Sequence, residues 1–173
     1  NCHIMHCPQS NLKLANGFCP VVKFIENEVN VALGTDSAAS NNTLDLFSEI
    51  KSASLLAKAV SGDAASLDAH AALRMATING AKALAWDNEI GSLELGKQAD
   101  IIAVKIDSIS QQPLYNPASQ LVYTNSGSQV SHSWVAGKML LENRKLCTIN
   151  ERSLIQTTEQ WRKKIHPDHE HFD

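Results

Sequence analysis

The chain has four cysteines, Cys2, Cys7, Cys19 and Cys147, and no two of them stand in a CxxC spacing. That scarcity rules out a secreted disulfide scaffold and implies reduced thiols in a cytoplasmic protein. No apolar run approaches the roughly 18 residues of a membrane span, so no membrane partner is expected. The first residues as they stand do not read as a signal peptide. A basic stripe is also missing: the formal net charge is −3, which offers no electrostatic footprint for nucleic acid and leaves a small molecule as the expected partner. With 43% apolar and 19% charged residues the chain has the means to pack a core and is not of disordered composition. Its 173 residues suggest one domain on length alone. The first residue is Asn1 and not a methionine, which we read as other than a natural start.

Two strands and their helices account for the first half. Cys2 to Cys7 is short, apolar and β-compatible, and Pro8 should end it before a polar loop through Gln9, Ser10 and Asn11. Pro20 suits a first helical turn, and Val21, Val22, Phe24 and Ile25 predict a crossover helix up to about Glu28. Val29 to Leu33 reads as a fully buried strand, and the loop Ala38–Asn42 should supply an N-cap for a long helix from Thr43 to Val60, stopped at Gly62. A second helix is predicted from Asp68 to Ala85. Strand, helix, strand and helix in this order belong in a parallel sheet with helices outside. After Trp86 the pattern turns to short strands: Ile90–Leu93, Ala99–Ile106, Leu121–Tyr123, Val130–Val135, and a Gly137-Lys138 hairpin into Met139–Leu141. They predict a small antiparallel module. Asn150 can cap a last amphipathic helix to about Ile165, before a polar tail that should fray.

The chemistry concentrates at one strand end. In Leu33-Gly34-Thr35-Asp36-Ser37 an apolar strand runs into a carboxylate, and the C-terminal strand ends are where parallel α/β folds gather reactive groups. Asp36 there can ligate a divalent metal and accept a proton from water, or it can merely cap a loop. His6 ends the first strand and could line a pocket or pack in the core; His3 alternates onto the opposite face, so the two cannot share an ion. Ser10, Asn11, Ser40 and Asn41 can touch substrate or satisfy loop backbone. Glu49 and Lys51 are read as helix surface or packing edge, and Cys7 as a small packed residue with no activating partner. His166, His169 and His171 sit in a solvated terminus.

Taken together, the segments His6–Ala15, Gly34-Thr35-Asp36, Ala38–Asn42 with Leu44-Asp45-Leu46 and Glu49, Ala72–Ala81, Gly91–Ile101, Gln112–Pro117 and Trp134–Lys138 resemble one family. They are similar to the amidohydrolases that deaminate 5-methylthioadenosine and S-adenosylhomocysteine, within the wider group that includes triazine chlorohydrolases. The resemblance covers nearly the whole chain. It implies an α/β fold: the last two βα units of a TIM-like (β/α)8 metal-dependent hydrolase barrel (residues 1–88), the C-terminal part of a small β-sandwich (89–149), and a terminal helix and polar tail (150–173).

The same resemblance implies a zinc or other divalent ion held by a His-x-His pair, a further His and the last strand's Asp. Of these ligands the chain has only Asp36. It also implies that a catalytic His and Glu lie upstream, so the chain is expected to be inactive alone, to bind metal weakly or not at all, and to need the missing N-terminal half as partner. A homo-oligomer stays open. His6, Ser10, Asn11 and Ser40 are the substrate-side candidates beside Asp36. The H-x-E and P-C-x-x-C pair of the cytidine-type zinc deaminases is absent. The readings left open are a guanine or triazine aminohydrolase or chlorohydrolase, and a non-catalytic remnant or assembly module.

Overall fold

The computed structural model describes residues 2–124 and 127–166. The tail beyond His166 lies outside them. Strand β1 (His3–His6) and strand β2 (Asn30–Leu33) pair in parallel, His3 opposite Asn30 and His6 opposite Leu33. Helix α2 (Val21–Glu26) makes the crossover between them. The three β-branched or apolar residues Val31, Ala32 and Leu33 are buried, as expected of a strand covered on both faces. Beyond β2, helix α5 (Ile78–Ala83) closes the edge: the Asn79 side-chain amide donates to the Val31 carbonyl (2.9 Å), and the Asn30 amide donates to the Asn79 carbonyl (3.0 Å). Among the described residues the outer edge of β1 has no strand partner.

The segment expected as a polar loop after β1 is instead helix α1 (Pro8–Lys13). Proline is well suited to the first helical position, where its missing N–H costs nothing. Helix α3 (Leu46–Ser61) starts three residues later than predicted. Its cap is Asp45, which accepts from the Phe47 N–H, and not a residue of the Ala38–Asn42 loop; Gly62 ends it in the left-handed conformation, as predicted.

The single helix predicted from Asp68 to Ala85 is two, α4 (Ala69–Met75) and α5. Asp68 caps the first as predicted, but the chain breaks at Thr77, whose hydroxyl donates back to the Leu73 carbonyl (2.8 Å). A hydroxyl that bonds its own backbone competes with helix continuation there.

Two predicted strands of the second half are not strands. Ile90–Leu93 is a bend, with Gly91 at φ +91°. Leu121–Tyr123 ends helix α6 (Pro117–Tyr123), started by Pro117 and by Asn116, whose side chain accepts from the Ser119 N–H. Ala118 and Val122, four apart, bury one face of α6 against α3 and α4. Tyr123 and Ser54 join α6 to α3 by a hydroxyl pair at 2.9 Å.

The antiparallel module is a four-stranded sheet in the order β3 (Ile101–Val104), β4 (Val130–Val135), β5 (Lys138–Glu142) and β6 (Lys145–Leu146). Its hairpin turns at Ala136-Gly137, both with positive φ, the geometry that fits the twist of two-residue hairpins. Helix α7 (Glu151–Ile165) runs from the predicted cap, Asn150, and all its residues are exposed.

Candidate active site

At the C-terminal end of β2 the ladder makes one further bond, Gly34 N–H to the His6 carbonyl (3.0 Å), and the chain then turns sharply. Gly34 lies close under Cys7; a Cβ there would come within 3.3 Å of the Cys7 sulfur. Two residues on, Asp36 takes φ +59°, a conformation that Asp and Asn adopt more readily than most residues. The turn leaves its carboxylate exposed.

Two buried hydroxyls hold that carboxylate. Ser40 Oγ, on the loop after β2, donates to Asp36 Oδ2 at 2.7 Å, and Ser10 Oγ, on α1, donates to the same oxygen at 2.8 Å. The Ser40 and Ser10 hydrogen bonds, with a further one from the Ser37 backbone, favour the charged form and hold the Asp36 pKa below the ordinary carboxylate value. Lys13, at the other end of α1, ties the same two segments together: Nζ donates to the Ala39 carbonyl (2.9 Å) and to Asn42 Oδ1 (2.6 Å).

Behind this cradle is a charge that the sequence placed at the helix surface or its edge. Glu49 is fully buried. It accepts from the Gln9 backbone N–H (3.1 Å) and from the Asn41 side-chain amide, and burial raises its pKa. A signal for it existed: Glu49 stands four and eight residues before Ala53 and Ala57, both buried, so the carboxylate sits in the buried stripe of α3.

The structure thus brings Ser10 and Ser40 to Asp36. His6 and Asn11 lie elsewhere, on a small cavity of about 10 Å³ that they share with Pro8, Leu12, Leu56 and Ala57. That is room for one water and not for a substrate. His6 is buried, its Nδ1 has no hydrogen-bond partner among the described residues, and burial lowers its pKa from 6.5 to about 4. Burial first, then the Asp36 and Glu49 charges, push the Cys7 thiol up, which suits packing and opposes a thiolate. Among the described residues no group of three or more His, Cys, Asp or Glu side chains converges to hold a metal. Asp36, ionised and exposed, fits a cation as a single ligand.

A parallel strand pair under helices, with an ionised carboxylate at its C-terminal end, defines an α/β protein with that carboxylate at the end where such sheets commonly carry reactive groups. The chain belongs to the amidohydrolase family, whose model matches residues 1–140. Over 163 residues it is 53% identical to a 5-methylthioadenosine/S-adenosylhomocysteine deaminase of Teredinibacter turnerae, covering 94% of this chain and 37% of that protein. It is 47% identical over 152 residues to a 5'-deoxyadenosine deaminase of Methanosphaera stadtmanae, covering 88% and 35%. Among solved structures, an adenosine deaminase from Xanthomonas campestris with bound zinc superposes with a TM-score of 0.93 at 47% identity over 96% of this chain and 38% of that one. An atrazine chlorohydrolase from Arthrobacter aurescens complexed with zinc gives 0.83 at 26% identity over 91% and 35%. The chain therefore spans a little over a third of the length of the curated relatives it matches.

Proposed function

We propose that this chain is the Asp-bearing C-terminal part of a metal-dependent deaminase of adenosine-type thionucleosides, 5-methylthioadenosine and S-adenosylhomocysteine, inactive until joined to the N-terminal part. Residues 1–88 would be the last two βα units of its barrel, 89–149 a share of a β-sandwich, and 150–173 a terminal helix and tail, in a cytoplasmic enzyme. The observation that carries this reading is the ionised Asp36 carboxylate, exposed at the end of β2 and fixed by Ser10 and Ser40. Identities near 50% to deaminases of these nucleosides, against 26% to the triazine enzyme, favour the nucleoside substrates.

A zinc or similar cation held in part by Asp36 would make a bound water more acidic. Asp36 accepts the proton that water releases. A C–O bond forms from the water oxygen to the ring carbon bearing the amino group, the C–N bond breaks, and the water's proton leaves with ammonia. Ser10 and Ser40 keep the accepting carboxylate aimed and ionised. Asn11, on α1, and His6, at the end of β1, line the water-sized cavity apart from Asp36 and do not touch the substrate.

The test is reconstitution of this chain with the N-terminal part of a relative, zinc and 5-methylthioadenosine, with ammonia release as readout. Asp36→Asn keeps an acceptor for both hydroxyls and tolerates the positive φ, so the fold should survive. Losing a general base costs about 10²–10⁴-fold in rate, so kcat should fall at least that far under saturating zinc. Activity within a few-fold of the original would make Asp36 a turn residue and overturn the reading.

A further inference from the structure

We propose that the buried Glu49 is a positioning residue: from α3 it grips both segments that carry the hydroxyls holding Asp36, and so sets the direction of that carboxylate. The geometry is a closed loop of bonds. One Glu49 oxygen, Oε2, accepts the Gln9 N–H, and Ser10 follows Gln9; the other, Oε1, accepts the Asn41 side-chain amide, and Ser40 precedes Asn41. Ser10 and Ser40 then converge on one oxygen of Asp36, at 2.8 and 2.7 Å.

Each grip replaces a bond the sequence does not supply locally. Cys7 gives α1 no side-chain cap, so its early free amide, at Gln9, would otherwise be left without an acceptor. The Gln9 side chain adds a second tie to α3, donating to Ser52 Oγ at 3.1 Å one turn beyond Glu49. On the other side, the Glu49 Oε1 acceptor fixes which way the Asn41 amide faces, with its oxygen taking the Thr43 hydroxyl at 3.2 Å. A fully buried carboxylate is costly to place in a core, and mere packing of α3 would be served better by an apolar residue. The functional weight of this role rests on the reading of Asp36 given above, but the arrangement itself does not.

The experiment uses the full chain with 13C-labelled aspartate at neutral pH, without metal or substrate, and follows the Asp36 carboxyl resonance, assigned by its loss in Asp36→Asn. Glu49→Ala should move that resonance in the same direction as the double substitution Ser10→Ala/Ser40→Ala, and adding Glu49→Ala to the double should move it no further. An unmoved Asp36 signal in a folded Glu49→Ala chain would overturn the proposal, because a merely structural role lowers stability and leaves this carbon alone. Should Glu49→Ala not fold, Glu49→Gln decides: it keeps the shape but only one acceptor oxygen, so the Asp36 signal should move by less in the same direction. A shifted Gln9 or Asn41 amide beside an unmoved Asp36 signal would refute the coupling. Deamination by the reconstituted enzyme is not read here, so failure of this proposal and failure of the functional one are separate results.

Discussion

Asp36 and Glu49 are both carboxylates, and their surroundings send them opposite ways. Hydroxyl donors hold Asp36 charged, whereas burial pushes Glu49 towards its neutral form. His6 offers a stability test at this scale. Burial lowers its pKa from 6.5 to about 4, so between those values the unfolded chain takes up a proton that the folded chain refuses. This contribution is flat above about pH 6.5 and is lost as pH falls towards 4, amounting to at most about 3 kcal/mol. Urea midpoints at several pH values should show His6→Gln losing less stability on acidification than the parent; equal slopes would mean the ring is solvated. Gly91 gives a second test. It sits at φ +91°, and a Cβ there would lie 2.7 Å from the Ala81 Cβ and 3.0 Å from the Ile78 Cα. Gly96 has the same φ with no atom of the described residues within 4 Å. Alanine at 91 should therefore cost roughly 2–4 kcal/mol and alanine at 96 about 1 kcal/mol, read by denaturant melts; equal costs would remove the packing argument.

Among the elements, α1, α6 and the break between α4 and α5 depart from what residue patterns suggest. A proline after a strand reads equally as a stop or as a helix start, and only the fit of α1 against α3 selects the second. The Asn116-Pro117 pair carries a helix-start signal, but the β-prone Leu121-Val122-Tyr123 outweighs it locally and predicts a strand. Burial of Val122 between α3 and α4 decides otherwise. Helix α7 is the opposite case, since its limits agree with the sequence and none of the described residues buries it. A 15-residue helix without packing is marginal, so its cap should matter. Asn150→Ala, which removes the acceptor for the Ser153 N–H, should cost about 1 kcal/mol and visibly lower the helical circular dichroism of a peptide spanning 148–166. An unchanged spectrum would mean α7 is held by something other than its own cap.

The molecule as a whole exposes more surface than its mass warrants. The chain presents 11674 Å², whereas a compact monomer of 18.8 kDa presents about 8,300 Å². The excess includes Met5 on β1, Leu93 and Leu95 in the turn after Gly91, and Leu154, Ile155, Trp161 and Ile165 along α7. With the β1 edge also lacking a strand partner among the described residues, the isolated chain should self-associate. Light scattering across micromolar concentrations should show species above the monomer mass, reduced when the N-terminal part of a relative is supplied. A compact monomer at all concentrations would show that the chain is self-sufficient.

Much of this was legible in one dimension. The buried strand β2, the parallel pairing with β1, the Gly62 stop, the Asp68 and Asn150 caps and the strand-end position of Asp36 follow from side-chain period and local backbone chemistry, which act over a few residues. The resemblance of several segments to the amidohydrolases was also visible in the sequence, and the family's model matches residues 1–140. What only the tertiary structure decided are the contacts between residues distant in sequence: Ser10 and Ser40 meeting on Asp36, and Glu49 reaching back forty residues to Gln9. The folding of α6 onto α3 is of the same kind. The spacing of Glu49 to Ala53 and Ala57 marks it as lying in the buried stripe of α3, but does not say which segments will cover it. Which partners it meets is set by the segments that pack there, and that is a property of the assembled core rather than of any window of the chain.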